Sequence, residues 1–187
     1  MFWIFNFNYW GKIRIIMRKA VFFDRDGVIN ELVQRDGGLF SPQTFDQFNI
    51  VRNTKVVINK LKKMGFLTIV ISNQPDISRG TLKKTELDKI TNILLNELMI
   101  DDVFYCPHDD SDLCNCRKPA PGLIIQAADK WNIDLQNSYM VGDTWKDVEA
   151  ANNANVKFLL LNAEYNLDYD SSNRINSLKD IFNHIEG

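Results

Sequence analysis

The sequence predicts an α/β fold, a Rossmann-like three-layer sandwich in which helices cover both faces of a mostly parallel sheet. After residue 17, short apolar segments alternate five times with segments of helical periodicity, which is typical of strand–helix–strand units. Four of the five apolar segments end in polar or reactive residues. Ligands of such sheets bind beyond the carboxyl ends of the strands, so these residues are candidates for a functional site.

The predicted strands are short apolar runs bounded by polar turns, and they cover residues 20–23, 67–71, 103–105, 139–141 and 158–161. Segments with apolar residues at helical spacing lie between them. The predicted helices begin near residues 53, 84 and 121, with a short helix around Val148 and a last one in the polar tail.

Residues 30–50 have no clear period and contain Gly37, Gly38 and Pro42, so we expect a loop or a small hairpin flap there. No interval is long enough for a large cap domain. We expect a single domain over residues 17–187. Residues 1–16 are aromatic and apolar but interrupted by polar residues, and we interpret them as a leader outside the native fold, with an interfacial membrane anchor as the alternative.

Composition and charge exclude several classes of protein. The 22 basic and 24 acidic residues give a net charge of −2, which favours neither a nucleic-acid-binding protein nor a membrane-bound one. Three cysteines, an odd number, and the lack of a secretory signal argue against a disulfide-stabilised secreted domain. We expect a cytoplasmic monomer.

Carboxylates after two predicted strands indicate a cation site. Asp24 and Asp26 follow the first strand, and Asp143 follows the fourth, with Asp147 four residues later. Carboxylates that converge on one edge of a sheet repel each other unless a cation lies among them. Because Mg²⁺ prefers hard oxygen ligands and usually binds a substrate phosphate oxygen as well, the sequence predicts a magnesium site here.

The same edge carries groups that suit phosphoryl transfer. Ser72 and Asn73 end the second strand, and Arg117 and Lys118 lie in the loop after the third. A hydroxyl, an amide and two positive charges can orient a phosphoryl group and neutralise its oxygens. A carboxylate such as Asp24 can act as the nucleophile and form an aspartyl-phosphate.

These segments resemble the four ordered motifs of the haloacid dehalogenase (HAD) superfamily. The matching segments are residues 23–30 (Phe-Asp-Arg-Asp-Gly-Val-Ile-Asn), 72–74 (Ser-Asn-Gln), 117–119 (Arg-Lys-Pro) and 142–143 (Gly-Asp), followed by Asp147. They occur in the superfamily's order and on the corresponding predicted elements. The resemblance implies a HAD-like fold and a magnesium-dependent phosphatase that acts through an aspartyl-phosphate.

The resemblance also implies catalytic roles for four residues. Asp24 would be the nucleophile, and Asp26 the general acid that protonates the leaving oxygen and later activates water. Ser72 and Lys118 would hold the phosphoryl oxygens.

Metal and substrate ligands follow from the same match. The implied magnesium ligands are Asp24, the backbone carbonyl of Asp26 and Asp143, with Asp147 supporting them. The predicted substrate-binding residues are Asn73, Gln74, Arg79 and Arg117.

All three cysteines and one of the two histidines lie within eleven residues, as Cys106, His108, Cys114 and Cys116. Three thiols and an imidazole are the ligands of a closed tetrahedral zinc site, which is structural because no coordination position stays open. We therefore predict a bound Zn²⁺ that holds the loop carrying Arg117 and Lys118, with buried free thiols as the alternative.

This cysteine pattern is similar to that of the zinc-containing branch of the superfamily, which acts on heptose bisphosphates or on histidinol phosphate. Arg79 and Gly80, which follow the second motif, favour the heptose type. The resemblance then implies removal of the 7-phosphate of D-glycero-D-manno-heptose 1,7-bisphosphate in cell-surface heptose biosynthesis. Histidinol phosphate or another small sugar phosphate is the alternative substrate, because Pro75, Asp76 and Thr144 depart from the heptose pattern.

Two other classes fit less well. A zinc-ribbon binding module for nucleic acid is opposed by the acidic pI of about 5.7. A receiver-type signalling domain has no need of Asp26, because such a domain does not clear its phosphate rapidly.

Overall fold

The computed structural model describes residues 17–185, which form eight strands and four α-helices. The strands are β1 (Ala20–Phe23), β2 (Val33–Arg35), β3 (Gly38–Phe40), β4 (Leu67–Asn73), β5 (Asp102–Cys106), β6 (Tyr139–Gly142), β7 (Lys157–Leu161) and β8 (Arg174–Ile175). The helices are α1 (Thr54–Lys63), α2 (Lys84–Asn92), α3 (Gly122–Trp131) and α4 (Trp145–Asn153).

Six of the strands form one parallel sheet in the order β5-β4-β1-β6-β7-β8. β1 lies between β4 and β6, and its four residues are fully buried. Val21 and Phe23 join an apolar cluster with residues of α1 and α2, whereas Ala20 and Phe22 join a second cluster with residues of α3 and α4. Because successive side chains of a strand point to opposite faces, the sheet is covered on both sides. The predicted three-layer architecture is confirmed.

The predicted flap is a two-stranded antiparallel hairpin of β2 and β3, in which Val33 pairs with Phe40. No large cap domain occurs within residues 17–185. The predicted leader, residues 1–16, lies outside the described residues. Between residues 17 and 185, no helix combines the length and the apolar character that a membrane crossing requires.

Three elements differ from the sequence prediction. The helix predicted to begin near residue 84 is α-helical only to Asn92 and continues as a π-helical turn, Ile93–Glu97. A sixth parallel strand, β8, was not predicted because it has two residues and lies within the polar tail. The last predicted helix is a 3-10 helix, Leu178–Asn183.

Candidate active site

The carboxyl ends of four neighbouring strands bring the predicted site residues together. Asp24 follows β1, Ser72 and Asn73 end β4, Cys106 ends β5, and Asp143 follows β6. Since these strands are parallel and adjacent in the order β5-β4-β1-β6, their ends lie along one edge of the sheet. This is the edge where ligands of open α/β sheets bind.

Three carboxylates meet at this edge. Asp24, Asp143 and Asp147 each place one oxygen within 4.8 Å of the others. The Nζ atom of Lys118 lies 2.8 Å from Asp24 Oδ1 and 2.6 Å from Asp147 Oδ1. The cluster thus contains three acidic groups and one ammonium group, which leaves an excess of negative charge for a cation.

Lys118 is held by its backbone as well as by its side chain. Its N–H donates to Asn73 Oδ1, and its carbonyl accepts from Asn73 Nδ2, both at 3.0 Å. Its Nζ also donates to the carbonyl of Ile71 at 3.0 Å. The end of β4 therefore positions the loop residue that bears the buried charge.

Asp147 is oriented by the start of α4. Its Oδ2 accepts from the Thr144 N–H at 3.0 Å and from the Thr144 hydroxyl at 2.6 Å, which is a capping box. Gly142 leaves the space for this side chain, because a Cβ atom there would overlap Asp147. Thr144, which the sequence analysis treated as a departure from a pattern, thus fixes a member of the carboxylate cluster.

Burial and mutual repulsion alter the ionisation of the cluster. Burial raises the pKa of Asp24 to about 7, aided by the Asp147 and Asp26 carboxylates and opposed by Lys118. Burial, together with Asp24 and Asp147, also raises the pKa of Asp143 well above its ordinary value. Burial alone would lower the pKa of Lys118, but Asp147 and Asp24 raise it, so this residue stays charged.

The donor set fits a hard divalent cation such as Mg²⁺. Oδ1 of Asp143 is buried and has no hydrogen-bond partner among the described residues, an arrangement that costs free energy unless a ligand binds it. A cation among the three carboxylates would satisfy this oxygen and relieve the repulsion that raises both pKa values.

The carboxylate of Asp26 accepts hydrogen bonds from three neighbouring side chains. Its carboxylate accepts from Arg25 (Nε 3.0 Å, Nη2 2.8 Å), from Asn30 Nδ2 at 3.0 Å and from Gln74 Nε2 at 2.7 Å. Gln74 also donates to Ser72 Oγ at 2.9 Å. Arg25 is completely buried, and the sequence carried no signal of this, because an arginine between two aspartates is typical of a solvated turn.

A cavity of about 610 Å³ opens above the cluster. Asp24, Asp26, Ser72, Asn73, Arg117, Lys118 and Asp143 contribute to its lining, as predicted residues of the site. The hairpin adds Leu39 and Phe40, and Lys146 and Tyr165 are among the other residues that line the cavity. No motif of the sequence indicated a role for Lys146 or Tyr165.

Two predicted substrate-binding residues lie outside this lining. Gln74 is buried against Asp26 and Ser72. Arg79 forms a bidentate ion pair with Asp109, with Nε and Nη2 each 2.6 Å from a carboxylate oxygen, and so connects the loop after β4 to the cysteine-containing loop. Contact of either residue with a substrate stays a prediction.

Cys106, His108, Cys114 and Cys116 form a second cluster with the geometry of a zinc site. Three sulfur–sulfur and two sulfur–nitrogen distances between these ligand atoms range from 3.2 to 3.6 Å. Ligands about 2.0–2.3 Å from a central Zn²⁺ stand about 3.3–3.8 Å apart in a tetrahedron, so the four atoms fit this ion.

The cysteine cluster is coupled to the cavity through Arg117. Its Nη1 donates to the carbonyl of His108 at 3.1 Å, and its Nε donates to Asp110 at 2.7 Å. Arg117 is only 11% exposed and precedes Lys118. A metal ion that orders the four ligands of the cysteine cluster therefore also orders the segment that contains Arg117 and Lys118.

Comparisons with known proteins agree with this geometry. A HAD-hydrolase-like family model matches residues 115–170. D-glycero-beta-D-manno-heptose-1,7-bisphosphate 7-phosphatase from Escherichia coli K12 is 36% identical over 149 residues, which cover 73% of this chain and 75% of that protein. The enzyme of the same name from Helicobacter pylori J99 is 35% identical over 153 residues, covering 79% and 84%.

A solved structure is similar over nearly the whole fold. The D,D-heptose 1,7-bisphosphate phosphatase from B. bronchiseptica, complexed with magnesium and phosphate, superposes with a TM-score of 0.78 at 25% identity. The match covers 89% of this chain and 97% of that one. This chain therefore belongs to the HAD superfamily of phosphoric monoester hydrolases, within the family that includes the D-glycero-beta-D-manno-heptose-1,7-bisphosphate 7-phosphatases.

Proposed function

We propose that this enzyme removes the 7-phosphate of D-glycero-β-D-manno-heptose 1,7-bisphosphate, with Mg²⁺ at the carboxylate cluster and Zn²⁺ at the cysteine cluster. The observation that carries the proposal is the convergence of Asp24, Asp143 and Lys118 in the lining of a cavity, together with the buried Asp147, in a chain whose relatives bear that enzyme's name.

Asp24 is the proposed nucleophile. Its carboxylate oxygen attacks the phosphorus atom, while the bond from phosphorus to the sugar oxygen breaks and that oxygen takes a proton from Asp26. The product is an aspartyl-phosphate on Asp24 and a free sugar hydroxyl. Asp26 then removes a proton from a water molecule, which attacks the phosphorus and releases inorganic phosphate and the Asp24 carboxylate.

Arg25, Asn30 and Gln74 orient Asp26 for both proton transfers, because their hydrogen bonds hold its carboxylate at the cavity wall. Ser72 and Lys118 are placed to bind the phosphoryl oxygens. Lys118 also offsets the repulsion between Asp24 and Asp147, since its ammonium group forms an ion pair with both carboxylates.

The residues that would hold Mg²⁺ are Asp24, Asp143 and the backbone carbonyl of Asp26, with Asp147 supporting them. The ion supplies charge neutralisation for the phosphoryl oxygens. The Zn²⁺ ligands are Cys106, His108, Cys114 and Cys116, and their role is to fix the loop that carries Arg117.

A substrate with two phosphates suits the charges of the wall. Among the described residues that line the cavity, the cations are Arg117, Lys118 and Lys146. Lys118 is neutralised by two carboxylates, whereas the nearest acidic oxygen to Lys146 is that of Asp110, 3.8 Å away. Lys146 is therefore the group we assign to the phosphate that is not cleaved, beside Arg117, whose Nε also pairs with Asp110. The volume of about 610 Å³ is within the range of small-molecule sites.

The experiment is a comparison of kcat/KM, with magnesium, for the α and β anomers of heptose 1,7-bisphosphate, fructose 1,6-bisphosphate and histidinol phosphate. We expect the β anomer of heptose 1,7-bisphosphate to be hydrolysed fastest. Faster turnover of histidinol phosphate would show that this compound, rather than a heptose bisphosphate, is the substrate. Hydrolysis of none of the four, by protein loaded with both metals, would contradict the proposal. The cytoplasm as location and the monomeric state stay predictions.

A further inference from the structure

Tyr165 contacts the carboxylate cluster from a part of the chain to which the sequence analysis assigned no function. It lies in the 3-10 turn Glu164–Asn166, which follows β7, and its side chain is part of the cavity wall. Its hydroxyl donates a short hydrogen bond to Oδ2 of Asp143. This tyrosine therefore touches the residue that we place among the magnesium ligands.

The two oxygens of Asp143 have different surroundings. Oδ2 accepts from Tyr165, whereas Oδ1 is buried and has no partner among the described residues. The nearby ammonium group of Lys118 is paired with Asp24 and Asp147 instead. Because the tyrosine hydroxyl fixes the rotation of the carboxylate, it determines which oxygen remains free for a cation.

The local backbone makes room for this pair of side chains. A Cβ atom on Gly27 would overlap Oδ2 of Asp143 and would lie 2.9 Å from the Tyr165 hydroxyl. Gly27 also has a φ of +86°, a conformation that other residues rarely adopt. Gly27 thus leaves space for the contact between Asp143, which follows β6, and Tyr165, which follows β7.

The turn that carries Tyr165 is anchored to the same strand ends. Asn166 Nδ2 donates to the carbonyl of Asp143 at 2.8 Å and to that of Leu161 at 2.9 Å. Arg174 Nη2 donates to the carbonyl of Asn166 at 2.8 Å. The tyrosine therefore approaches Asp143 from a turn whose backbone is itself fixed to the residue it contacts.

We propose that Tyr165 is a positioning residue of the metal site, whose hydroxyl holds the Asp143 carboxylate with Oδ1 directed towards the cation. The inference rests on the proposed magnesium site and adds a residue to it. Partners that orient a metal ligand from behind typically contribute tenfold to a hundredfold in metal affinity.

The test is calorimetric titration of Mg²⁺ into zinc-loaded protein without substrate, for the wild type and for Tyr165→Phe, which lacks only the hydroxyl. We expect the Mg²⁺ dissociation constant to rise about tenfold. The Mg²⁺ concentration for half-maximal phosphatase activity should rise by a similar factor, so that excess magnesium restores activity lost at low magnesium. Tyr169→Phe, in the same loop but outside the cavity lining, is the matched control and should bind Mg²⁺ as the wild type does.

Three outcomes would overturn the inference. The first is an unchanged Mg²⁺ dissociation constant in Tyr165→Phe. The second is a loss of activity that excess magnesium does not relieve, which would make Tyr165 a substrate contact. The third is a Tyr165→Phe protein that does not fold at any temperature without magnesium. This would show that the hydroxyl is needed for folding rather than for positioning a metal ligand. Failure of the wild type to bind Mg²⁺ would instead contradict the proposed function itself.

Discussion

Asn73 and Lys118 are joined by two hydrogen bonds, each of 3.0 Å, between the side-chain amide of the first and the backbone N–H and carbonyl of the second. The end of β4 thereby sets the position of a lysine 45 residues later in the chain. That lysine is 3% exposed and neutralises two carboxylates, so its placement matters for the whole cluster.

Asn73→Ala removes both hydrogen bonds. We expect kcat/KM to fall about tenfold to a hundredfold, because two lost hydrogen bonds of a buried segment correspond to about 1–3 kcal/mol. Steady-state kinetics with saturating magnesium measure this. Asn92→Ala, at an exposed position of α2, is the control. A wild-type kcat/KM in Asn73→Ala would show that the Lys118 backbone needs no support from β4.

Asp24→Asn should abolish hydrolysis while the protein stays folded. The amide is isosteric but a poor nucleophile, so we expect at least about a thousandfold loss in kcat. Circular dichroism and thermal unfolding check the fold. Activity within tenfold of the wild type would exclude a covalent intermediate at this residue.

The stability of the magnesium-free protein should depend on pH through Asp24. Its pKa is about 7 in the folded chain, against an ordinary value of 3.8. A carboxyl group with a raised folded pKa contributes stability that is fully present below about pH 4 and is lost as the pH rises through 7. We therefore expect the unfolding temperature of zinc-loaded, magnesium-free protein to fall from pH 6 to pH 8.

Magnesium and mutation provide the controls for this pH dependence. Added Mg²⁺ should restore the unfolding temperature at pH 8, because the cation stabilises the ionised cluster. Asp24→Asn should show a flatter profile over the same range, since it lacks the Asp24 carboxyl group. Identical profiles for the variant and the wild type would contradict the assignment of the pH dependence to Asp24.

Loss of zinc should reduce activity without any change in the carboxylates. We expect removal of the metal by a chelator, followed by dialysis and addition of excess Mg²⁺, to lower kcat/KM about tenfold or more, because Arg117 is anchored to the His108 carbonyl. Readdition of Zn²⁺ should restore the activity. A zinc-free protein with full activity would show that the two sites are not coupled.

Lys146→Ala should raise the KM of a substrate with two phosphates more than the KM of a substrate with one. We expect the KM of a sugar bisphosphate to rise about tenfold, which corresponds to one charge-assisted contact of about 1.4 kcal/mol, and the KM of the matching monophosphate to change much less. Lys55→Ala, at an exposed position of α1, is the control. An equal effect on both substrates would place the second phosphate elsewhere.

The order of elements and most of the cluster could be predicted from the sequence. Four of the five longer strands, β1, β4, β6 and β7, are largely apolar runs because both of their faces are buried, and that local signal is strong. Asp24, Asp143 and Lys118 were predicted as neighbours because they follow strands that a parallel sheet brings side by side. β8 escaped prediction because two residues carry no detectable period.

The amino-acid sequence by itself determined which strand ends and adjoining loops carry carboxylates, a lysine and four candidate zinc ligands. Only the tertiary structure decided which side chains turn into the cavity. Arg79 pairs with Asp109, Arg25 is buried against Asp26, and Tyr165 reaches Asp143 across the ends of two strands. These contacts depend on residues far apart in the chain or on side-chain rotamers, so no local pattern records them, whereas a strand that is buried on both faces is recorded as a continuous apolar run.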